Sequence, residues 1–246
     1  MQPTELPRNR SQESQVSQPP HQTSEQTQSD SLVRQRRAMV EEQLLRRGIT
    51  DQRVLQAMLS VPRERFVPDE LVAVAYHDAA QVIGCDQTIS QPFTVAFMMA
   101  AARLTGVEKV LEIGTGSGYG AAVLSRLADR VYTVERIEPL AEAARQRLSR
   151  LGYRNVEVVS GDGTAGLAEY APWDAIVVTA AAHELPLAYK QQLACGGRIV
   201  IPVDDPSGAQ TMYRYTRDGD TFQIDDLGKF AFVPLIGEYS SLPDRR

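Results

Sequence analysis

The sequence predicts an α/β fold: a doubly wound, mainly parallel sheet with a helical N-terminal preface and antiparallel strands at its C-terminal edge. Three observations carry this. The stretch Val110-Leu-Glu-Ile-Gly-Thr-Gly-Ser-Gly-Tyr-Gly120 reads as an apolar strand, a glycine turn and the start of a helix. That is how an open sheet receives a nucleoside-containing ligand at the carboxyl ends of its strands. From there to residue 203, apolar runs alternate with helical patterns, which implies right-handed crossovers between parallel strands. After residue 210, strand patterns follow one another with only an Asp218-Gly-Asp220 turn between them, the mark of antiparallel pairing.

Taken in order, residues 1–30 are rich in Gln, Ser and Pro and nearly empty of aliphatic side chains, a composition expected to stay disordered. Residues 31–246 are expected to form one domain, with a helical preface and ligand loop at 31–105, a cofactor-binding core at 106–205 and C-terminal strands at 206–246. Asp30 or Ser31 is expected to cap a helix running to about Arg47, with Gly48 past its end; Val33, Val40 and Leu44 share its inner face. Thr50 or Asp51 caps a second helix that stops at Val61-Pro62. The segment Ile83-Gly-Cys-Asp-Gln-Thr-Ile-Ser-Gln-Pro92 has turn residues at both ends and a polar middle, as an active-site loop does. An apolar helix follows over 93–104. The alternation then predicts helices at 118–128, 139–151 and 186–193. Strands are predicted at 130–135, 156–160, 173–179 and 198–203, then at 211–217, 221–225 and about 229–235.

Composition narrows the function. A net charge of −5 and a pI near 5.3 argue against general attraction to nucleic acid. No run approaches the roughly 18 apolar residues of a membrane span, and the N-terminus carries no apolar core of a secretory signal. Cys85 and Cys195 are far apart, with no C-x-x-C and no His/Cys cluster to hold a metal, so reduced thiols in a cytoplasmic protein are expected. Trp173 opens a strand and is expected to pack in the core or beside the ligand. His183, just past a strand end, reads as a rim contact at the ligand edge or as a helix-entry residue, and His77 as a hydrogen-bonded surface residue rather than a base.

Two nucleoside ligands compete for the glycine loop. The dinucleotide fingerprint G-x-G-x-x-G fits only from Gly116, with Ala121 in the third position, which keeps a nicotinamide dinucleotide open. Glu112, two residues before Gly114, suits instead a cationic ligand such as the amino-acid end and sulfonium of S-adenosylmethionine. It would sit poorly beside a pyrophosphate. Glu135 ends the next strand, about 20 residues past the glycines, where ribose hydroxyls are held in either class. The combination favours S-adenosylmethionine.

The chain resembles the protein-L-isoaspartate O-methyltransferases, members of the Rossmann-like class I methyltransferases that use S-adenosylmethionine. The resemblance rests on Arg47-Gly-Ile-Thr-Asp51, Val61-Pro-Arg-Glu-Arg-Phe-Val-Pro68, Gln87-Thr-Ile-Ser-Gln-Pro92, the glycine loop, Val131-Tyr-Thr-Val-Glu-Arg136, Gly161-Asp-Gly163, Val178-Thr-Ala-Ala-Ala182, Gly196-Gly-Arg-Ile-Val-Ile-Pro202 and Phe232-Val-Pro-Leu235, and covers about 33–238. It implies methylation of the abnormal α-carboxyl of L-isoaspartyl residues in damaged proteins, with weaker action on D-aspartyl residues; a monomer is expected. Thr88 and Ile89 would lie over the cofactor, and Ser90 would be the catalytic residue. Glu112, Gly114, Thr115, Gly116, Ser117 and Gly118 would surround the methionine part, Glu135 and Arg136 the ribose, and Asp162 and Gly163 the adenine. A carboxylate nucleophile, with a pKa of about 4, is already ionised at neutral pH and needs no general base. Ser90 then serves either as a donor orienting that carboxylate or as a local turn-forming hydroxyl. Glu112 likewise serves as a ligand or as an acceptor for loop donors. Two departures bear on the acceptor: Asp86 and Asp204 stand where the family usually has glycine. Negative charge near the mouth of the site would weaken peptide binding or select a different acceptor.

Overall fold

A computed structural model describes residues 24–205 and 208–240. The first helix, α1 (Ser24–Ala38), begins ahead of the expected caps. Ser31 accepts a hydrogen bond from the Gln35 amide instead of capping. Of the expected disordered tail, 1–23 lie outside the described residues. The helix widens to π geometry over Met39–Leu44 and tightens to a 3-10 turn over Leu45–Arg47, ending at Gly48 with φ +93°. Asp51 caps α2 (Gln52–Ser60) by accepting the Arg53 and Val54 N–H groups at 2.9 and 3.3 Å.

The segment read as a loop is a hairpin of β1 (Gln81–Gly84) and β2 (Gln87–Ile89). It turns on Cys85 and Asp86, both left-handed with φ 51° and 56°. Two left-handed central residues match the twist of a two-residue hairpin, so Asp86 adopts the backbone a glycine would take more easily. Behind the hairpin, α3 (Pro92–Ala102) buries Val95, Met98 and Met99.

One seven-stranded sheet follows. Its strands are β3 (Lys109–Ile113), β4 (Arg130–Glu135), β5 (Val156–Ser160), β6 (Trp173–Val178), β7 (Leu193–Asp204), β8 (Gln210–Asp218) and β9 (Thr221–Phe230). Their order is β5-β4-β3-β6-β7-β8-β9, parallel from β5 through β7 and antiparallel for the last two pairings. The crossovers carry α4 (Tyr119–Leu124), α5 (Glu138–Arg150) and α6 (Leu187–Gln192). Successive residues of β3 enter opposite cores. Val110 joins the cluster that includes Val95, Met98 and Leu124, and Leu111 and Ile113 join the one around Trp173 and Tyr189. Burial on both faces is why this strand reads as a continuous apolar run. Chain order reverses between β3 and β6, and the crevice outside the carboxyl ends of strands at such a point receives ligands. Trp173 is fully buried at the start of β6, a core residue with Lys109 Nζ 5.3 Å from its ring centroid.

The strand expected at 229–235 does not form. β9 runs unbroken to Phe230, and the chain then crosses the sheet end, where Ala181 N donates to Val233 O (2.8 Å) and Leu235 N to Ala181 O (2.7 Å). Pro234 lacks the N–H a further ladder would need. This crossing lays 233–236 over the crevice. Among the described residues no helix is long and apolar enough to cross a membrane.

Candidate functional site

Gly114 leaves β3 with φ +97°, and its N–H donates to Val134 O at 2.9 Å. Thr179, just past β6, donates its hydroxyl to Gly114 O at 2.9 Å, and a Cβ on Gly114 would stand 2.4 Å from that hydroxyl. The position therefore requires glycine for its dihedral and for the close approach. Glu135 binds the loop from the other side. Its Oε2 accepts Gly116 N–H at 2.9 Å and its Oε1 accepts Ile137 N–H at 3.0 Å. A cleft runs along these groups, walled by Gly114, Gly116, Glu135, Arg136, Gly163 and Thr88 and roofed by 233–236. Because the Gly116 N–H is given to a carboxylate, it is not offered to a phosphate, which weighs against the dinucleotide reading.

The other expected cofactor residues lie behind the walls. Glu112 is buried beneath the loop, where Thr133 donates to its Oε2 at 2.6 Å. The Thr133 and Thr115 hydroxyls are 2.7 Å apart, so the three side chains form one hydrogen-bonded chain from β3 to the loop. A Cβ on Gly120 would come within 2.2 Å of Glu112 Oε1, so α4 sits directly on this carboxyl. Desolvation pushes the Glu112 carboxyl up to about 8, against the Thr133 hydrogen bond and with help from the Glu135 charge. In the unfolded chain it titrates near 4.5, so the folded state holds the proton more tightly. Stability from this group therefore falls as pH rises from about 4.5 toward 8. Glu112→Gln is expected to raise Tm little at about pH 5 and increasingly up to about pH 8, then by a constant amount. A Tm difference independent of pH would contradict this account of the carboxyl.

Ser117 and Gly118 are also structural in position. Ser117 O accepts Arg147 Nη1 at 2.8 Å, and Gly118 packs against Leu148. Asp162 has burial acting to raise its pKa. Hydrogen bonds from Thr164 and from the Glu238 N–H outweigh that, holding it below the ordinary carboxylate value. Its Oδ2 accepts Glu238 N–H at 2.7 Å, and Thr164 Oγ1 accepts Tyr239 N–H at 3.1 Å. The residue expected at the adenine thus also fastens the C-terminal segment beside the cleft.

A second cleft is lined by Ala80, Thr88, Ser90, Gln91, Thr94, Thr179, Ala231, Phe232 and Val233. It shares Thr88, Thr179 and Val233 with the first. Ser90 stands in it half-buried, while Ile89 before it is buried in the core. The walls hold four hydroxyls and one side-chain amide, and none of these residues is charged. Gln91 donates through Nε2 to Asp78 Oδ1 at 3.0 Å, and Asp78 Oδ2 accepts Arg47 Nη1 at 2.5 Å. Sequence reasoning passed over this contact, and no local pattern announces a pair so far apart in the chain. Asp86 and Asp204 line neither cleft. Asp86 is exposed at the hairpin tip, and Asp204 donates its N–H to Ala182 O. His77 and His183 are exposed and outside both walls.

Comparison with known proteins gives the chain its relatives. Residues 34–240 match the family model described as Protein-L-isoaspartate(D-aspartate) O-methyltransferase. Protein-L-isoaspartate O-methyltransferase 2 of Geotalea uraniireducens is 55% identical over 206 residues, covering 83% of this chain and 94% of its own. The protein-L-isoaspartate O-methyltransferase of Protochlamydia amoebophila is 50% identical over 201 residues, covering 81% and 96%. A solved protein-L-isoaspartate O-methyltransferase superposes with a TM-score of 0.76 at 31% identity, over 83% of this chain and 67% of that one. Another, from Plasmodium falciparum and in complex with S-adenosyl-L-homocysteine, gives 0.72 at 25% identity, over 82% and 98%. On the family match and the identity of these relatives, the chain belongs to the protein-L-isoaspartate(D-aspartate) O-methyltransferase family.

Proposed function

We propose that this protein transfers a methyl group from S-adenosylmethionine to the free α-carboxyl of L-isoaspartyl residues in damaged proteins, and more weakly to D-aspartyl residues. The observation that carries the reading is the junction of two clefts at Thr88, Thr179 and Val233, one built around glycines and Glu135 and the other around hydroxyls that include Ser90.

The first cleft fits the cofactor. Gly114 and Gly116 leave backbone, with no side chain, along its wall. Each Glu135 oxygen accepts one backbone N–H and keeps a lone pair for a ribose hydroxyl. Asp162 Oδ2 likewise keeps one for an exocyclic amine, with Gly163 beside it. Arg136 flanks the ribose end, and the backbone of Gly114 and Gly116 together with Thr88 receives the methionine part. When bound, S-adenosylmethionine supplies an electrophilic methyl group on a sulfonium.

The chain's own task is then orientation and exclusion of water. The acceptor carboxylate is ionised at neutral pH, so no side chain has to remove a proton. Hydroxyl donors such as Ser90 can fix one carboxylate oxygen and leave the other in line with the methyl. A lysine or arginine in the wall would draw charge from the nucleophile, and the walls contain none. The roof at 233–236 covers the junction and limits solvent around the reacting pair. The exposed, unpaired Cys85 and Cys195 fit a reducing compartment such as the cytoplasm.

The test is transfer of labelled methyl to an isoaspartyl peptide beside its normal aspartyl twin. Selective labelling of the first is expected, and equal labelling of both would overturn the proposal. Asp78→Ala should release Gln91 from its support. A threefold to tenfold rise in KM for the isoaspartyl peptide is expected, roughly the worth of a partly exposed charged hydrogen bond. Cofactor affinity, read by calorimetric titration, should be unchanged.

A further inference from the structure

The second cleft opens onto a run of four phenylalanines. Phe232 lines the cleft, with its ring centroid 6.5 Å from that of Phe230. Phe230 lies 4.9 Å from Phe97, and Phe97 lies 5.9 Å from Phe93. All four rings are half-buried and packed against the core. The backbone of Phe232 is held by one side chain. Gln210 donates through Nε2 to Phe232 O at 3.2 Å and accepts Phe232 N–H through Oε1 at 2.5 Å. Both backbone polar groups of Phe232 are thereby used inside the protein, and what remains for a partner is apolar surface. At the far end the Arg47 guanidinium lies 3.7 Å from the Phe93 ring centroid, with its charge met by Asp78.

This surface is continuous with the acceptor cleft, and the acceptor is part of a polypeptide. A residue seated beside Ser90 has neighbours on both sides that must leave across the rim, and one stretch of that rim is Phe232 with the ladder behind it. We infer that the phenylalanine ladder is the subsite for a large apolar side chain flanking the isoaspartyl residue. Such a subsite would select damage lying in segments unfolded far enough to expose an apolar neighbour. The inference rests on the function proposed above.

The test uses the full chain and peptides that differ at one position, Leu or Ser next to the isoaspartyl residue, with separate pairs for the preceding and following positions. KM is expected to be about tenfold lower for Leu than for Ser in one of the two pairs, the scale of half-burying one large apolar side chain. In Phe97→Ala the two values should converge, with kcat on the Ser peptide and cofactor affinity unchanged. The wild-type comparison stands even where that variant folds poorly. Methyl transfer with equal KM values in both pairs would overturn this inference and leave the proposed function intact. Absence of transfer to every isoaspartyl peptide would overturn the proposed function and this inference with it.

Discussion

Glu135→Ala is expected to weaken S-adenosylmethionine binding by about 100-fold or more. The carboxylate accepts the N–H groups of Gly116 and Ile137, and in the function proposed above it also supplies the acceptors for the ribose. Hydrogen bonds to charged groups contribute roughly 1.5–3 kcal/mol each, and an unpartnered buried donor costs about 1–3 kcal/mol more. Losing one such ligand bond and slackening the loop together reach two orders of magnitude, at about 1.4 kcal/mol for each tenfold change. Glu135→Gln keeps one acceptor oxygen and should fall between the two. Calorimetric titration of each variant with the cofactor checks this, with Tm recorded alongside. Wild-type affinity in the alanine variant would remove Glu135 from the ribose site.

Ser90→Ala should act on the other half of the reaction. A drop of about 100-fold in kcat on an isoaspartyl peptide is expected, the cost of slight misplacement of reacting groups. Cofactor affinity should stay within about twofold, since Ser90 lines only the second cleft. Ser90→Thr keeps the hydroxyl and should recover part of the rate. If Ser90 only shaped a local turn, both variants would lose Tm and neither would lose kcat selectively.

Much of the architecture was legible in the sequence because local chemistry wrote it there. The fully buried β3 gave a continuous apolar run, Gly114 marked the left-handed turn after it, and Asp51 and Gly48 punctuated the preface. What was hidden depends on contacts between distant segments. Thr179 meets Gly114 across the sheet, and Asp78 meets Gln91 across the hairpin. Residues 229–235 alternate like a strand, yet Pro234 and the pairing with Ala181 turn their second half into a roof. Glu112 shows how packing, rather than position at a strand end, decides where a carboxylate points. Strand alternation sends Leu111 and Ile113 to one face and Glu112 to the other, beneath α4. Gly120, kept small under that carboxyl, was the readable sign of it. The hairpin turn was obscured for a different reason, since Cys85 and Asp86 occupy left-handed positions without being glycines.

The central claim is that the acceptor carboxylate sits in the hydroxyl-lined cleft, at the junction with the cofactor cleft. A crystal structure of the protein with S-adenosylhomocysteine and an isoaspartyl peptide tests it most directly. One α-carboxylate oxygen is expected within about 3 Å of Ser90 Oγ, a normal hydrogen-bond distance, with the other facing the cofactor sulfur across the junction at Thr88 and Thr179. A carboxylate bound elsewhere, or a Ser90 hydroxyl turned away from it, would contradict the account.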